Sequence, residues 1–182
     1  MSNIFVISDT HFNHARILEF TNRAGNKIRP GFASVDEMNQ KMIEDWNSVV
    51  GKRDTVRHLG DVYFGSDSEA NEILWQLNGS IQLFLGNHDH INDVLIKRCS
   101  KIELWRKDRK NDIIFSHMPL HASVLDELSP TAWNLHGHIH DNDEPPAEKS
   151  HAWVNMSVER FGYKPIPLDE IIQRKKEITN EK

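Results

Sequence analysis

Residues 4–7, Ile-Phe-Val-Ile, form a short apolar run that breaks off in Ser8-Asp9-Thr10-His11, and the same junction recurs along the chain. Residues 55–59 run into Gly60-Asp61, residues 81–85 into Gly86-Asn87-His88-Asp89, residues 112–115 into Ser116-His117, and residues 133–136 into Gly137-His138-Ile139-His140. Short runs rich in β-branched and aromatic residues read as buried strands. Each strand end thus carries a carboxylate, an amide or an imidazole, and strand ends on one edge of a sheet bring their loops together.

Helical patterns separate these runs. The spacing predicts a helix over 14–20 with Asn13 as its cap, and a loop at Arg29-Pro30-Gly31. Ser34-Val35-Asp36-Glu37 has the form of a capping box, and Met38, Met42, Ile43 and Trp46 follow at helical spacing until Gly51. Ser68 is the expected cap of a further helix through Ile73, Leu74 and Leu77 to Gly79, and another helix is expected over 92–98. Residues 101–105 and 112–115 read as strands separated by a charged turn, residues 152–158 as a strand after a polar loop with Pro145-Pro146, and a last helix starts near Leu168. Alternation of strands and helices implies a layered α/β or α+β architecture.

At 182 residues the chain suits one domain, 1–182, with a single well-buried core. Its net charge of -5 excludes an obvious nucleic-acid-binding face, since neutralising backbone phosphates needs a basic surface. It does not exclude a small anionic substrate, because bound cations reverse the local sign. The single cysteine, Cys99, rules out an intrachain disulfide, reads as a buried inert thiol and points to the cytoplasm. No stretch has membrane-spanning length or the form of a leader.

The 11 histidines matter through their positions. Asp9, His11, Asp61, Asn87, His117, His138 and His140 are the candidate metal ligands; imidazole, carboxylate and amide oxygen without thiolate favour Mn, Fe, Zn or Ni over a structural four-cysteine zinc site. In extended backbone, Asp9 and His11 point to one side with Thr10 turned away, and His138 and His140 do the same. Gly60, Gly86 and Gly137 each precede a candidate ligand, where the backbone must turn sharply or approach an ion closely. One such fragment is common in any protein; five in this order are not.

Asp9-x-His11, Gly60-Asp61, Gly86-Asn87-His88-Asp89, His117 and Gly137-His138-x-His140 together resemble the motif set of the calcineurin-like metallophosphoesterases, across residues 9–140. The resemblance implies a four-layer α/β (α+β) sandwich of two mixed β-sheets flanked by helices. It implies two divalent metal ions, one held by Asp9, His11 and His140, the other by Asn87, His117 and His138, with Asp61 bridging. It also implies attack on phosphorus by a hydroxide shared between the ions, with His88 as the catalytic residue that faces the substrate. The partner so implied is a small phosphate ester, and oligomeric state stays open.

Members that dephosphorylate proteins resemble one another in an Asp-Arg pair shortly after Gly-Asp, whereas this chain reads Gly60-Asp61-Val62-Tyr63-Phe64-Gly65. The absent arginine favours a phosphodiester, nucleotide or other compact organic phosphate, with a phosphomonoesterase, a nuclease or a non-catalytic metal-binding interaction module as alternatives. Asn13 and His14 are the candidate substrate contacts. Asp89 is expected to hydrogen-bond structurally, Arg23 and Arg29 to be solvated, Trp46, Trp75 and Trp105 to be core, and Arg174-Lys175-Lys176 to lie on a solvated helix face. Asn155 and Ser157 either pair within the sheet or reach the metal pocket. His58, His90, His136 and His151 carry no functional reading, and Pro119 separates His121 from His117.

Overall fold

The computed structural model describes residues 2–142 and 153–180. The polar loop with Pro145-Pro146, His151 and the first residue of the strand expected over 152–158 lie outside the described residues. In chain order the elements are β1 (Ile4–Ile7), α1 (Val35–Val49), β2 (Thr55–His58), α2 (Asp67–Leu74), β3 (Ser80–Phe84), α3 (Asp93–Arg98) and β4 (Cys99–Glu103). They continue with β5 (Trp105–Asp108), β6 (Ile113–Ser116), α4 (Ala122–Leu128), β7 (Trp133–His136), β8 (Trp153–Asn155), β9 (Ile166–Pro167) and α5 (Leu168–Asn180).

Two mixed sheets result. One has the order β4-β3-β2-β1-β9, parallel except for β9; the other has the order β5-β6-β7-β8, parallel except for β5. Strand alternation assigns side chains to layers. Phe5 and Ile7 of β1, with Ile81 and Leu83 of β3, pack against Met38, Met42 and Trp46 of α1, while Val6 and Phe84 turn the other way. Those two meet Ile113, Phe115, Trp133 and Leu135 in the core between the sheets, which Leu168 and Ile171 of α5 close. On the outer face of the second sheet, Ile114 and Trp153 meet Leu125 of α4. The order helices, sheet, sheet, helix is the expected four-layer α/β sandwich, and burial on both faces explains why the strands read as unbroken apolar runs.

Several elements differ from the sequence reading. The segment after Asn13 is a 3-10 turn, Ala15–Glu19, capped by His14 without a side-chain bond. Asn13 cannot cap it because its side-chain oxygen accepts from Asn39 Nδ2 at 2.6 Å. The cap of α2 is Ser66, not Ser68: Ser66 and Glu69 form a reciprocal capping box. The run 101–105 is divided between β4 and β5, which lie in different sheets, with exposed Leu104 at the crossing. Arg106, Lys107 and Asp108, read as a turn, are strand. β8 stops at Asn155, and Val158 begins a 3-10 turn, Val158–Phe161.

Helix α4 was not legible because it is seven residues long and buries only Leu125; His121 caps it by accepting from Ser123 N. Trp46 is core, but Trp75 and Trp105 are 61% and 52% exposed. Arg29, expected to be solvated, is 1% exposed. The Cys99 thiol is half-buried, and burial pushes its pKa up to about 12. Among the described residues no helix is long and apolar enough to cross a membrane.

The capping box gives a direct check. Ser66→Ala should lower the unfolding free energy by about 1 kcal/mol in urea titrations, whereas Ser68→Ala, on the exposed face of the helix, should leave it within about 0.5 kcal/mol.

Candidate metal centre

The loops that leave β1, β2, β3, β6 and β7 converge where the edges of the two sheets meet. Ser8 N donates to Met156 O at 2.9 Å, and Asp9 N and His11 N donate to Gly60 O and Asp61 O at 3.0 Å each, so the first two loops and the segment after β8 are tied by backbone bonds. Extended alternation does not set the ligand directions here. Asp9 (φ 57°), His11 (47°), Asp61 (57°), His138 (71°) and His140 (51°) are all left-handed, as is Asn13 (62°). That conformation costs non-glycine residues about 1–3 kcal/mol each, and Asp, Asn and His tolerate it better than most. Gly86 and Gly137 are required by close approach: a Cβ at Gly86 would lie 2.1 Å from Asp61 Oδ1, and one at Gly137 would lie 1.9 Å from Ser8 Oγ.

Two groups of possible metal-binding side chains result, Asp9 with His11 and His140, and Asp61 with His117 and His138. His138 and His140 therefore diverge into different groups instead of facing one side, because each turns on its own left-handed residue. Asp9 Oδ1 is 3.9 Å from both His11 Nε2 and His140 Nε2. Asn87 Oδ1 lies 2.9 Å from His117 Nε2 and 2.9 Å from His138 Nδ1, so the amide joins the second group. Asp61 Oδ2 stands between them, 3.5 Å from His11 Nε2 and 3.4 Å from His117 Nε2.

The remaining polar atoms of these side chains are held from behind. Asp61 Oδ1 accepts from the backbone N–H of His88 at 2.9 Å, leaving Oδ2 to face the imidazoles. Burial works to raise the Asp61 pKa, but contacts with His11 and His117 outweigh it and hold the carboxyl well below the usual carboxylate range. Asp9 accepts from His138 N at 3.0 Å and from Ser157 Oγ at 3.0 Å. His117 Nδ1 donates to Leu59 O at 2.7 Å, which turns the lone pair of Nε2 inward. His140 Nδ1 meets Glu159 Oε1 at 3.1 Å, and the same oxygen accepts from Arg29 Nε at 2.7 Å. Burial opposes ionisation of Glu159, but Arg29 and His140 prevail and hold its pKa at about 2. Arg29 also donates to Asp9 O and Thr10 O, at 2.5 and 2.8 Å, clamping the first loop.

His88 is exposed at the mouth of the group, its ring centroid 5.9 Å from that of His11 and 5.1 Å from that of Phe64. Asn13 and His14, the expected substrate contacts, are each engaged at one atom, Asn13 Oδ1 by Asn39 and His14 Nδ1 by His11 Nδ1 at 3.1 Å, while Asn13 Nδ2 has no partner among the described residues. Burial lowers the His14 pKa to about 4, so the neutral ring can accept from His11 and leave His11 Nε2 its lone pair. Asp89 accepts from the backbone N–H groups of Asp61, Val62 and Gly86, the structural role expected of it. His58, pushed by burial to about 4, meets Thr10 Oγ1 and accepts from Gly60 N, supporting two loops without reaching the ligands. Asn155 and Ser157 do reach the centre, Asn155 Nδ2 donating to His140 O at 2.6 Å. Glu159 and Phe64 were missed: neither stands in a motif, and only their contacts reveal them.

The donor set fits divalent cations. Among the described residues His11 Nε2, buried beside two carboxylates, has no hydrogen-bond partner, and such an atom is costly unless something coordinates it. Nitrogen and oxygen donors, with their outer atoms anchored, are what borderline first-row ions select.

Glu159→Gln removes the charge behind His140 while keeping an acceptor. It should weaken one of two bound ions by about 10- to 100-fold, read as a fall from two ions to one per chain by elemental analysis after dialysis. A second outcome concerns protons. Burial opposes protonation of His117 and His140, yet Asp61 and Glu159 respectively raise their pKa values above the ordinary imidazole value. Metal binding needs both rings neutral, so binding should release protons at pH 7 and affinity should fall as pH is lowered towards 6. Calorimetry in buffers of different ionisation enthalpy reads the release directly, and zero release would contradict this ligand set.

Over residues 2–176 the chain matches the calcineurin-like phosphoesterase family. It is similar to an uncharacterized protein of Methanocaldococcus jannaschii, at 37% identity over 180 residues that cover 95% of this chain and 91% of the relative. It is also similar to the gene 66 protein of Mycobacterium phage L5, at 29% identity with 77% of this chain and 78% of that protein covered. A crystal structure of a protein of unknown function from Aquifex aeolicus matches it with a TM-score of 0.73 at 27% identity, covering 95% of this chain and 99% of that one. With two sets of imidazole and carboxylate donors facing each other across Asp61, and a family match that spans nearly its whole length, the chain belongs to the calcineurin-like phosphoesterases.

Proposed function

We propose that this protein is a dinuclear-metal-dependent phosphodiesterase acting on a small nucleotide or another compact organic phosphate. The observation that carries the reading is the position of Asp61 Oδ2, 3.5 and 3.4 Å from one imidazole of each group, with exposed His88 on the adjoining loop. Asp9, His11 and His140 would hold one cation, Asn87, His117 and His138 the other, and Asp61 both; Mn is our first choice, with Fe, Zn and Ni as alternatives. Bound there, two divalent cations lower the pKa of water, hold phosphate oxygens and neutralise the charge that develops on them.

His88 supplies what the ligands cannot. Hydrolysis forms a bond from water oxygen to phosphorus and breaks the ester bond, leaving the electron pair on the departing oxygen. A proton given by the His88 ring lets that oxygen leave as a neutral alcohol. The backbone of His88 is fixed to Asp61 Oδ1, and Phe64 lies beside its ring, so the proton donor is registered to the bridging carboxylate.

Charge favours a diester over a monoester. The cleft beside His88 is lined by residues such as Tyr63, Phe64 and Asn92, and its charged members, Asp67 and Asp89, are acidic. Arg29 faces inward, already bonded to Asp9, Thr10 and Glu159. A diester carries one negative charge where a monoester carries two, and suits such a surface better. A single cysteine fits the reducing cytoplasm, where we place the protein.

The test is turnover of bis(p-nitrophenyl) phosphate beside p-nitrophenyl phosphate by metal-stripped protein reloaded with Mn, Ni, Zn or Mg. We expect metal-dependent cleavage of the diester; because p-nitrophenolate leaves without a proton, the fall in kcat of about 10²–10⁴-fold in His88→Ala, with both ions retained, is expected on a dinucleotide, whose departing oxygen is an alkoxide. Preference for the monoester would make the protein a phosphomonoesterase. Two bound ions without turnover would make it a metal-binding interaction module.

A further inference from the structure

The centre opens on a second cleft, away from His88, of a different character. About 300 Å³ in volume, it runs from the candidate ligands Asn87 and His117 to Leu104, Trp105 and Met118 at the crossing between the sheets. Among the described residues, no lysine, arginine, aspartate or glutamate lines it. Leu104, Trp105 and Met118 are 69%, 52% and 48% exposed. Single exposed apolar side chains are ordinary on any protein; three that share one cleft with two metal ligands form a contiguous patch that marks a binding surface.

We propose, on the footing of the phosphodiesterase reading above, that this cleft takes the ester group that remains on phosphorus, and that this group is an uncharged planar ring, a nucleobase in the biological substrate, stacked on Trp105. Geometry divides the two ester groups. A leaving oxygen that receives its proton from His88 sends its own group into the cleft that His88 lines, which leaves the retained group the cleft of Asn87 and His117 or the one beside His140; the latter is lined by Glu19 and offers no exposed indole, so a neutral ring fits the former. The volume is at the lower end of small-ligand pockets and suits one ring system rather than a nucleic-acid duplex. The absence of charged lining residues favours a neutral ring over a further phosphate, and a broad exposed indole is the side chain that binds bases without needing to read their edges.

A second copy of this chain is the rival occupant, and the neighbouring strand argues against it. β5 is an edge strand that continues from Trp105 into Arg106, Lys107 and Asp108, and a charged edge discourages pairing with another strand. The next side chain, Arg106, turns away, its guanidinium carbon 5.5 Å from the Phe84 ring, which leaves Trp105 projecting from the opposite face. A copy seated on the patch would also cover Asn87 and His117.

The experiment compares thymidine 5′-(p-nitrophenyl phosphate) with methyl p-nitrophenyl phosphate, which share a leaving group and differ only in the group retained. Wild-type protein should prefer the nucleoside ester. Trp105→Ala should raise its KM by about 10-fold or more, the size of a lost base–aromatic stack, while methyl p-nitrophenyl phosphate stays within about twofold and Trp105→Phe recovers most of the loss. Independently of turnover, thymidine 5′-monophosphate should quench the tryptophan fluorescence of zinc-loaded protein, and Trp105→Phe should abolish that quenching although the four other tryptophans remain. Equal turnover of the two esters by wild type, or equal loss of both in Trp105→Ala, would overturn the subsite. So would a concentration-dependent dimer in sedimentation that Trp105→Ala disperses while the KM for the nucleoside ester stays unchanged. If neither ester is cleaved by the metal-loaded protein, the hydrolase reading fails by itself and the quenching arm decides the subsite.

Discussion

Asp61 is 2% exposed and both its oxygens are engaged, Oδ1 by a backbone N–H and Oδ2 by two imidazoles. Asp9 is fully buried and Glu159 nearly so. Three carboxylates this deep in one place would repel one another and lose their hydration unless matched by positive charge. Arg29 is the only permanent cation that the described residues put among them, and it answers Glu159 directly. The rest of the compensation comes from imidazoles and backbone N–H groups, and divalent cations would complete it. The convergence of strand ends from both sheets follows from this requirement, since no single loop could assemble so many donors around so much buried negative charge.

Assembly of the donors has a conformational cost. Five candidate ligands sit in the left-handed region, at about 1–3 kcal/mol each. The layers beneath them offset it. β1 and β2 are fully buried beyond their first residues, and α1 seats Trp46 at 1% exposure with its indole N–H donating to Asn78 O. Rigid strands ending in strained turns are a recurring way to aim side chains that would otherwise relax towards solvent. Gly86 and Gly137 belong to the same device, because only a residue without Cβ lets the third and fifth loops pass over Asp61 and Asp9.

How much of this was legible in the sequence depended on range. The ligand loops could be read because the break from apolar run to Asp, Asn or His is local, and the same holds for the Ser34 cap and the helix that follows it, although the box does not close, since Glu37 Oε2 accepts from Ala33 N. The link from Arg29 to Glu159 could not, since 130 positions separate the two and neither stands in a recognisable pattern. Trp105 was misread for another reason: in Lys101-Ile102-Glu103-Leu104-Trp105 nothing marks Leu104 as the point where the chain changes sheets, and Trp105, the first residue of β5, is left exposed. Asn13 failed as a cap because a tertiary partner, Asn39, competes for the same oxygen. Local grammar thus reported which atoms could bind a metal, while the contacts that orient them emerged only from the fold.

The two halves of the centre are not equivalent, and the difference bears on how such a site would work. Asp9 and His11 are buried, His140 is largely so, and Ser157, Glu159, Arg29 and His14 hold that half from behind. In the other half Asn87 is exposed and His138 only partly buried, and Asn87 and His117 line an open apolar cleft. Asp9, His11 and His140 would hold a cation through anchored side chains, whereas the second group, though Asp61 and His117 are buried, would hold one partly through the exposed amide of Asn87. The fold thus anchors the Asp9 group through the Arg29–Glu159 pair, while the Asn87 group adjoins the apolar cleft that Trp105 lines.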